Sequence, residues 1–161
     1  MTTIIGIDPG YDRLGWAVAR VEKRTFSLSA YDCIVTDRSQ EIVQRMAAIA
    51  SQLAAIIALH QPNELAIETL FFSRNTTTAL KVSEIRGLVI TTAIHNALSV
   101  AQYNPMTIKQ SVTGSGKADK QGVNKMLRLL LPDIGTIAHD DTMDAIAVAL
   151  THALAVHQIQ L

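Results

Sequence analysis

The sequence predicts an α/β fold with a mixed five-stranded sheet flanked by helices. Short β-branched segments fill the first 35 residues, the apolar period then lengthens to that of a helix, and two more short apolar segments each follow a helical one. The chain has 161 residues, of which 48% are hydrophobic and 17% are charged. This size and composition predict a single globular domain spanning residues 1–161.

The first three predicted strands form an antiparallel meander. The first, over residues 3–8, is β-branched and ends at the turn pair Pro9-Gly10. The next two, over residues 14–20 and 26–35, follow after short connections. Short connections join antiparallel neighbours, so these three segments are expected to lie side by side.

Helices and strands alternate in the rest of the chain. Asp37 with Gln40 resembles a capping box and predicts the start of a helix that ends at Gln61-Pro62. Residues 65–68 then form a strand parallel to an earlier one, because a strand reached through a helix normally follows a right-handed crossover. The same patterns predict a helix over 75–98, a strand over 99–103, shorter helical pieces around the loop 113–116, and a last helix over 140–158.

Charge, hydropathy and cysteine content exclude several classes of protein. Fourteen basic residues balance fourteen acidic ones, so no overall field marks a nucleic-acid or membrane binder. The longest uninterrupted apolar run has seven residues, 53–59, against the ~20 that a membrane helix needs. Cys33 is the single cysteine and excludes an internal disulfide. With no signal peptide visible, these features predict a cytoplasmic protein without a membrane partner.

Two acids end buried strands. Asp8 closes the first strand and Glu68 closes the fourth, so in parallel neighbours both carboxylates would emerge at one edge of the sheet. A charge at the end of a buried strand must be paired or bound to a metal. The alternative is that each acid caps a helix or ends its strand in solvent.

The last helix supplies more acids. Asp141 and Asp144 are three positions apart and share a face, and so do Asp140 and Asp144, which are four apart. Like charges at this spacing repel, which indicates that a cation offsets them. Asp140 also suits the helix dipole, and the spacing alone leaves Asp140 and Asp141 open as the inward ligand. An all-oxygen ligand set favours Mg²⁺, and two such ions would suit phosphodiester hydrolysis.

Bases and aromatic residues suggest a DNA surface. Five bases and one acid fall between residues 109 and 128, next to a loop rich in glycine and serine; the bases are Lys109, Lys117, Lys120, Lys125 and Arg128. Beside an acidic metal site, phosphate contact is the favoured interpretation, and a solvated helix face is the alternative. Of Phe71 and Phe72, one is expected in the core and the other to stack on an unpaired base.

The second long helix is apolar over roughly 240° of its circumference, more than one sheet face covers. Ile85 and Leu88 belong to this arc and are expected at the interface of a homodimer. Contact with the C-terminal helix is the alternative.

Taken in order, these residues resemble the RuvC family of crossover junction endodeoxyribonucleases, which have an RNase H-like fold. The matching stretches are Gly6-Ile7-Asp8-Pro9-Gly10, Ala66-Ile67-Glu68 followed by Phe71, Asn75 with Ala79-Leu80-Lys81 and Arg86-Gly87, Lys109-Gln110-Ser111-Val112-Thr113-Gly114 with Ala118-Asp119-Lys120, and Asp141 through Asp144-Ala145 to Thr151-His152. They run from residue 3 to about residue 157. Trp16 stands where the family commonly has tyrosine, outside the acidic site.

The resemblance implies a homodimer that resolves four-way DNA junctions in recombination and repair by paired, Mg²⁺-dependent nicks, with Mn²⁺ as a second candidate ion. It assigns the acidic site to Asp8, Glu68, Asp141 and Asp144, and phosphate contacts to Lys109 and Lys120. It also implies stacking by Phe71 and work with the RuvA and RuvB branch-migration proteins.

Two other functions fit parts of the sequence. A non-catalytic DNA-binding or scaffold dimer is disfavoured by the four intact carboxylates. A hydrolase of RNA–DNA hybrids or of another nucleic acid shares the chemistry but is disfavoured by the basic run from Lys109 to Lys120 and by the predicted dimer surface.

Overall fold

The computed structural model describes residues 1–70 and 76–159, where strands and helices follow the predicted order. The strands are β1 (Thr2–Asp8), β2 (Arg13–Glu22), β3 (Thr25–Val35), β4 (Glu64–Glu68) and β5 (Ser99–Tyr103). The helices are α1 (Ile42–His60), α2 (Thr76–His95), α3 (Pro105–Thr113), α4 (Lys120–Leu130) and α5 (Asp140–His157).

The five strands form one mixed sheet in the order β3-β2-β1-β4-β5. β1, β2 and β3 are antiparallel neighbours, whereas β4 is parallel to both β1 and β5. Ile7 pairs with Ile67 across β1 and β4. The next residue of each strand, Asp8 and Glu68, therefore emerges at the same edge of the sheet, as the sequence predicts.

Helices cover both faces of the sheet. On one face, α1 and α2 pack against residues such as Ile5 and Ile7. On the other face, α5 with α3 and α4 packs against residues such as Ile4 and Ala66. Because side chains alternate along a strand, the continuous apolar runs of β1 and β4 supply both cores.

Two glycines let α5 lie directly on the sheet. An added Cβ at Gly15 would meet the backbone carbonyl oxygen of Asp141, and one at Gly6 would lie 2.7 Å from the backbone nitrogen of Ala149. Gly15 pairs with Asp8 across β1 and β2. The first turn of α5 is therefore held next to the end of β1.

The N-cap of helix α1 is Glu41, four residues after the predicted cap at Asp37. Asp37 accepts a hydrogen bond from the backbone N–H of Ser39 at 2.9 Å and closes a turn instead. The helix starts at Ile42, and the Glu41 N–H donates to the side-chain oxygen of Gln44 at 3.3 Å. The prediction at Asp37 is wrong because its short side chain is satisfied within its own turn.

Helix α1 is also long and apolar enough to cross a membrane by length and composition, with a mean hydropathy of 1.7. Arg45 and polar residues interrupt the apolar runs of α1. The seven-residue apolar run in the sequence therefore did not indicate that this helix could span a membrane. Ile49 and Leu53 pack on the sheet, while Val43 and Leu59 are exposed on its outer side. The helix thus flanks the core and leaves an apolar outer surface.

Helix α2 also turns one row of residues to the sheet. Ile85, Val89 and Ala93 are fully buried in the core that α1 and α2 share with the sheet. The prediction that Ile85 lies at a dimer interface is therefore wrong, because this row of the helix faces its own sheet. Leu88 is half-buried and Ile94 is exposed. Since α5 lies on the opposite sheet face, it does not provide the alternative cover for α2.

Gly15→Ala is expected to destabilise the protein by about 1–3 kcal/mol, because the new methyl group collides with the backbone at Asp141. Gly87→Ala is the matched control. Gly87 lies in α2 with open space around it, so alanine there is expected to stabilise by about 0.5–1 kcal/mol. Urea unfolding in metal-free buffer measures both changes, and a Gly15→Ala protein as stable as the wild type would contradict the close approach of α5.

Candidate active site

Four carboxylates from three elements of the fold converge at the carboxyl edge of the sheet. Asp8 ends β1, Glu68 ends β4, and Asp141 and Asp144 lie in the first turns of α5. The charges of the other three acids each raise the pKa of Asp8. The structure therefore brings together all four predicted acids.

Burial and mutual repulsion shape the titration of this cluster. Burial first, and then the charges of Asp144, Glu68 and Asp141, raise the pKa of Asp8 well above its usual value. Burial and the Asp144 charge raise the pKa of Glu68 to about 7. The pKa of Asp144 is also raised, chiefly by burial, although Lys120 offsets part of the effect. Without a cation, the folded protein disfavours full ionisation of these groups.

Neighbouring acids of α5 point into different surroundings. The side chain of Asp140 is 70% exposed, whereas that of Asp141 is 23% exposed. Arg13 Nε lies 3.0 Å from Asp141 Oδ2 as an ion partner, but the approach lacks hydrogen-bond geometry. Within the described part of the chain, this buried oxygen accepts no hydrogen bond.

The donor set fits a hard divalent cation. All four side chains offer carboxylate oxygens, the ligands that Mg²⁺ and Mn²⁺ prefer. The buried Asp141 oxygen has Arg13 as an ion partner but accepts no hydrogen bond, and the raised pKa values of Asp8 and Glu68 show the cost of charge that no cation offsets. Asp8, Glu68, Asp141 and Asp144 are the residues that would hold the metal.

Two of the three predicted DNA-binding lysines lie beside the acids. Lys120 Nζ donates a hydrogen bond to Asp144 Oδ2 at 3.0 Å and lies 3.5 Å from Asp140 Oδ2. Lys109 and Lys120 line a cavity of about 180 Å³ together with Glu68 and Asp144. Lys117 is exposed on the loop between α3 and α4.

Helix caps place these lysines. The Asn104 side chain accepts a hydrogen bond from the Thr107 N–H at 2.8 Å and starts α3 one turn before Lys109. The Asp119 carboxylate accepts from the Gly122 N–H at 2.7 Å and starts α4 with Lys120 as its first residue. The acid within the predicted basic run is therefore a helix cap.

Two arginines that the sequence did not single out support the site. Arg86 donates to the backbone carbonyl of Glu68 and, at 2.7 Å, to Gln102 Oε1. Arg45 is buried and donates to the Tyr11 carbonyl at 2.8 Å and to the Asp12 carboxylate, which fixes the turn after β1. Arg45 could have been found from the sequence as a charged residue within the apolar row of α1. For Arg86, the sequence offered only its place in a stretch that matches the family.

Phe71 and Phe72, the predicted stacking and core aromatics, lie outside the described residues, as does Asn75. The role of each phenylalanine stays a prediction.

A mixed sheet of this order, covered by helices and carrying a carboxylate cluster at its carboxyl edge, defines a nuclease of the RNase H-like class. Comparison with known proteins places the chain more narrowly. A family model described as "Crossover junction endodeoxyribonuclease RuvC" matches residues 4–152. The chain belongs to the RuvC family.

Relatives and solved structures agree with this assignment. The crossover junction endodeoxyribonuclease RuvC of Brachyspira hyodysenteriae is 40% identical over 149 residues, 92% of each chain. That of Caldicellulosiruptor saccharolyticus is 40% identical over 153 residues, 94% of this chain and 92% of the relative. The structure of Thermus thermophilus RuvC with a Holliday junction substrate matches with a TM-score of 0.89 and 29% identity, covering 98% of this chain and 96% of that one.

The titration of Glu68 predicts a pH-dependent stability in chelator. Its pKa rises from an ordinary 4.5 to about 7 on folding, so the folded state holds the proton more tightly. The stability that this proton provides is complete below pH 4.5 and is lost as the pH rises to about 7. Glu68→Gln should therefore gain thermal stability relative to the wild type across this window.

Thermal unfolding at several pH values measures the difference, with Glu84→Gln as a control because Glu84 is an exposed acid of α2. A constant offset between the wild type and Glu68→Gln at all pH values would contradict the prediction.

Proposed function

We propose that this chain resolves four-way (Holliday) junction DNA, in recombination and repair, by hydrolysing phosphodiester bonds at Asp8, Glu68, Asp141 and Asp144. The convergence of these carboxylates, with a buried Asp141 oxygen that accepts no hydrogen bond, is the observation that carries the proposal. The junction substrate bound to T. thermophilus RuvC supports the choice of DNA. The proposal includes a cytoplasmic location and a single domain that spans residues 1–161.

Divalent cations held by these acids, Mg²⁺ or Mn²⁺ and two per site, would supply an activated water and stabilise the leaving oxygen. Asp8, at the end of a strand paired with β4, lies close enough to the acids of β4 and α5 to interact with the charge of each. Arg86 holds the backbone of Glu68, and Arg45 holds the turn that follows Asp8. The chain thus contributes rigid placement of its oxygens.

Lys109 and Lys120 would bind the phosphates that flank the cleaved bond. Both line the cavity that Glu68 and Asp144 also line, so a DNA strand beside the acids comes within their reach. The ammonium of Lys120 neutralises part of the carboxylate charge that would otherwise repel the strand. Lys117 would contact the backbone farther out, and Phe71 would stack on an unpaired base of the junction.

Symmetric cleavage of two strands needs two sites, which a homodimer provides. Residues of α1 and α2 line an open apolar groove of about 610 Å³ that includes Met46, Ala54 and Leu88. We propose that a second copy covers this groove. Work with the RuvA and RuvB branch-migration proteins is proposed from family membership.

The four acids predict a sharp contrast between neighbours. Asp8→Asn, Asp141→Asn or Asp144→Asn should each lower the rate of junction nicking by about 10²-fold or more, through loss of a metal ligand. Asp140→Asn, the matched control, should change the rate little, because Asp140 is exposed and asparagine suits the start of a helix. Nicking of a synthetic four-way junction in Mg²⁺ measures each rate.

Linear duplex, single-stranded DNA and RNA–DNA hybrid serve as competing substrates in the same assay. Equal losses at Asp140 and Asp141 would contradict the assignment of ligands. Faster cleavage of the hybrid would favour the alternative hydrolase, and junction binding without cleavage would favour the scaffold protein.

Leu88→Glu should yield a folded monomer, because it places a charge in the groove that we assign to the second copy. Ser83→Glu, at an exposed position of the same helix, is the control and should remain dimeric. Sedimentation measures the mass and circular dichroism the fold. An unfolded Leu88→Glu chain would place Leu88 in the core, and a folded dimer would refute the interface.

A further inference from the structure

A second cluster of metal-ligating side chains lies away from the acidic site. Glu64 starts β4, while His152 and His157 lie in the last turns of α5. The Nε2 atoms of both histidines lie 2.8 Å from the same oxygen, Glu64 Oε2. One ligand atom of each residue falls within 4.8 Å of the other two. The site is thus compact, and it joins a strand to a helix.

Further contacts hold these side chains in place. The Tyr103 hydroxyl lies 2.8 Å from His152 Nδ1, the ring nitrogen that faces away from Glu64. The rings of His152 and His157 meet edge to face with centroids 6.0 Å apart. The side chain of His152 is 5% exposed, and those of Glu64 and His157 are about one-fifth exposed. The cluster is therefore ordered but reachable from solvent.

We propose that Glu64, His152 and His157 form a binding site for a transition-metal dication of the Zn²⁺ class. Two imidazoles and one carboxylate are a ligand set typical of zinc, and the fourth position would hold water. A soft-to-borderline cation prefers imidazole, whereas the all-carboxylate site at the other end of α5 prefers Mg²⁺. The two sites therefore select different ions.

The two contacts between the histidines and Glu64 need only a small change to accept the ion. Metal bonds of about 2.0–2.1 Å in a tetrahedral site place ligand atoms roughly 3.3 Å apart. The two contacts of 2.8 Å would each lengthen by about half an ångström, which side-chain rotation supplies. With Nε2 bound to the metal, the neutral His152 ring would carry its proton on Nδ1 and donate it to the Tyr103 oxygen, so the tyrosine would be the outer partner that orients the ligand.

The site would couple the far ends of two elements that carry catalytic acids. β4 has Glu64 at its start and Glu68 at its end, and α5 has Asp144 near its start and His152 near its end. A metal bond between Glu64 and the histidines would fix the register of α5 along the sheet. Its expected effect is a gain in stability of the whole protein on Zn²⁺ binding.

Imidazole ¹⁵N spectra of the full chain test the proposal directly. Zn²⁺ is titrated in excess Mg²⁺, which occupies the acidic site. The Nε2 signals of His152 and His157 should shift together, with saturation at one equivalent, and thermal unfolding should move to higher temperature. His139, next to the acids of α5, is an internal reporter: movement of its signal before the other two would place Zn²⁺ in the acidic site and overturn the proposal.

Variants separate a metal site from a hydrogen-bond network. His157→Ala should weaken Zn²⁺ binding by at least about tenfold and abolish the thermal shift. Glu64→Gln keeps an oxygen that accepts from imidazole, so a network alone would keep its stability while the metal site loses affinity. His60→Ala, at the end of α1 and outside the cluster, is the control. Unchanged Zn²⁺ affinity in both His157→Ala and Glu64→Gln refutes the site.

Discussion

The acidic site depends on the close contact between α5 and the sheet. Gly15 pairs with Asp8 across β1 and β2. At Gly15 the backbone of α5 occupies the space that any side chain would fill. A bulkier residue would push the first turn of α5 away and separate its acids from those of β1 and β4. Close packing thus converts two glycines, which carry no chemistry, into determinants of ligand geometry.

The same contact imposes an electrostatic cost. Burial and repulsion raise the pKa values of Asp8, Glu68 and Asp144. Lys120 offsets part of this rise for Asp8 and Asp144, and Arg86 offsets part of it for Glu68. A cluster that disfavours its own ionised form has a large free energy to gain from divalent cations. The same arrangement therefore predicts both affinity for metal and lower stability without it.

Helix α5 has different chemistry at its two ends. Its first turns carry carboxylates, the ligands that hard cations prefer, and its last turns carry imidazoles that share one oxygen of Glu64. β4 shows the same polarity, with Glu64 and Glu68 at opposite ends. Because α5 and β4 pack on each other, the proposed metal binding at the distal cluster would bear on the register of the acidic site.

The sequence by itself determined the strand and helix order, the parallel placement of β1 and β4, and the acids that follow from it. These features depend on periodicity and on the ends of buried strands, which are local properties of the chain. The choice of Asp141 over Asp140 needed either the family resemblance or the structure, because both spacings share a helix face. Proximity of Lys109 and Lys120 to the acids likewise needed the packing of three helices.

Only the tertiary structure decided which apolar and polar residues are buried and which contacts they make. Ile85 looked equivalent to Leu88 on the helical arc, but its row faces the sheet. Arg45 is buried because the turn at residues 11–12 offers it acceptors, and Asp37 closes a turn instead of capping α1. Glu64 and His157 are 93 positions apart and meet only because α5 crosses the sheet. Such contacts depend on how elements pack, which no local pattern encodes.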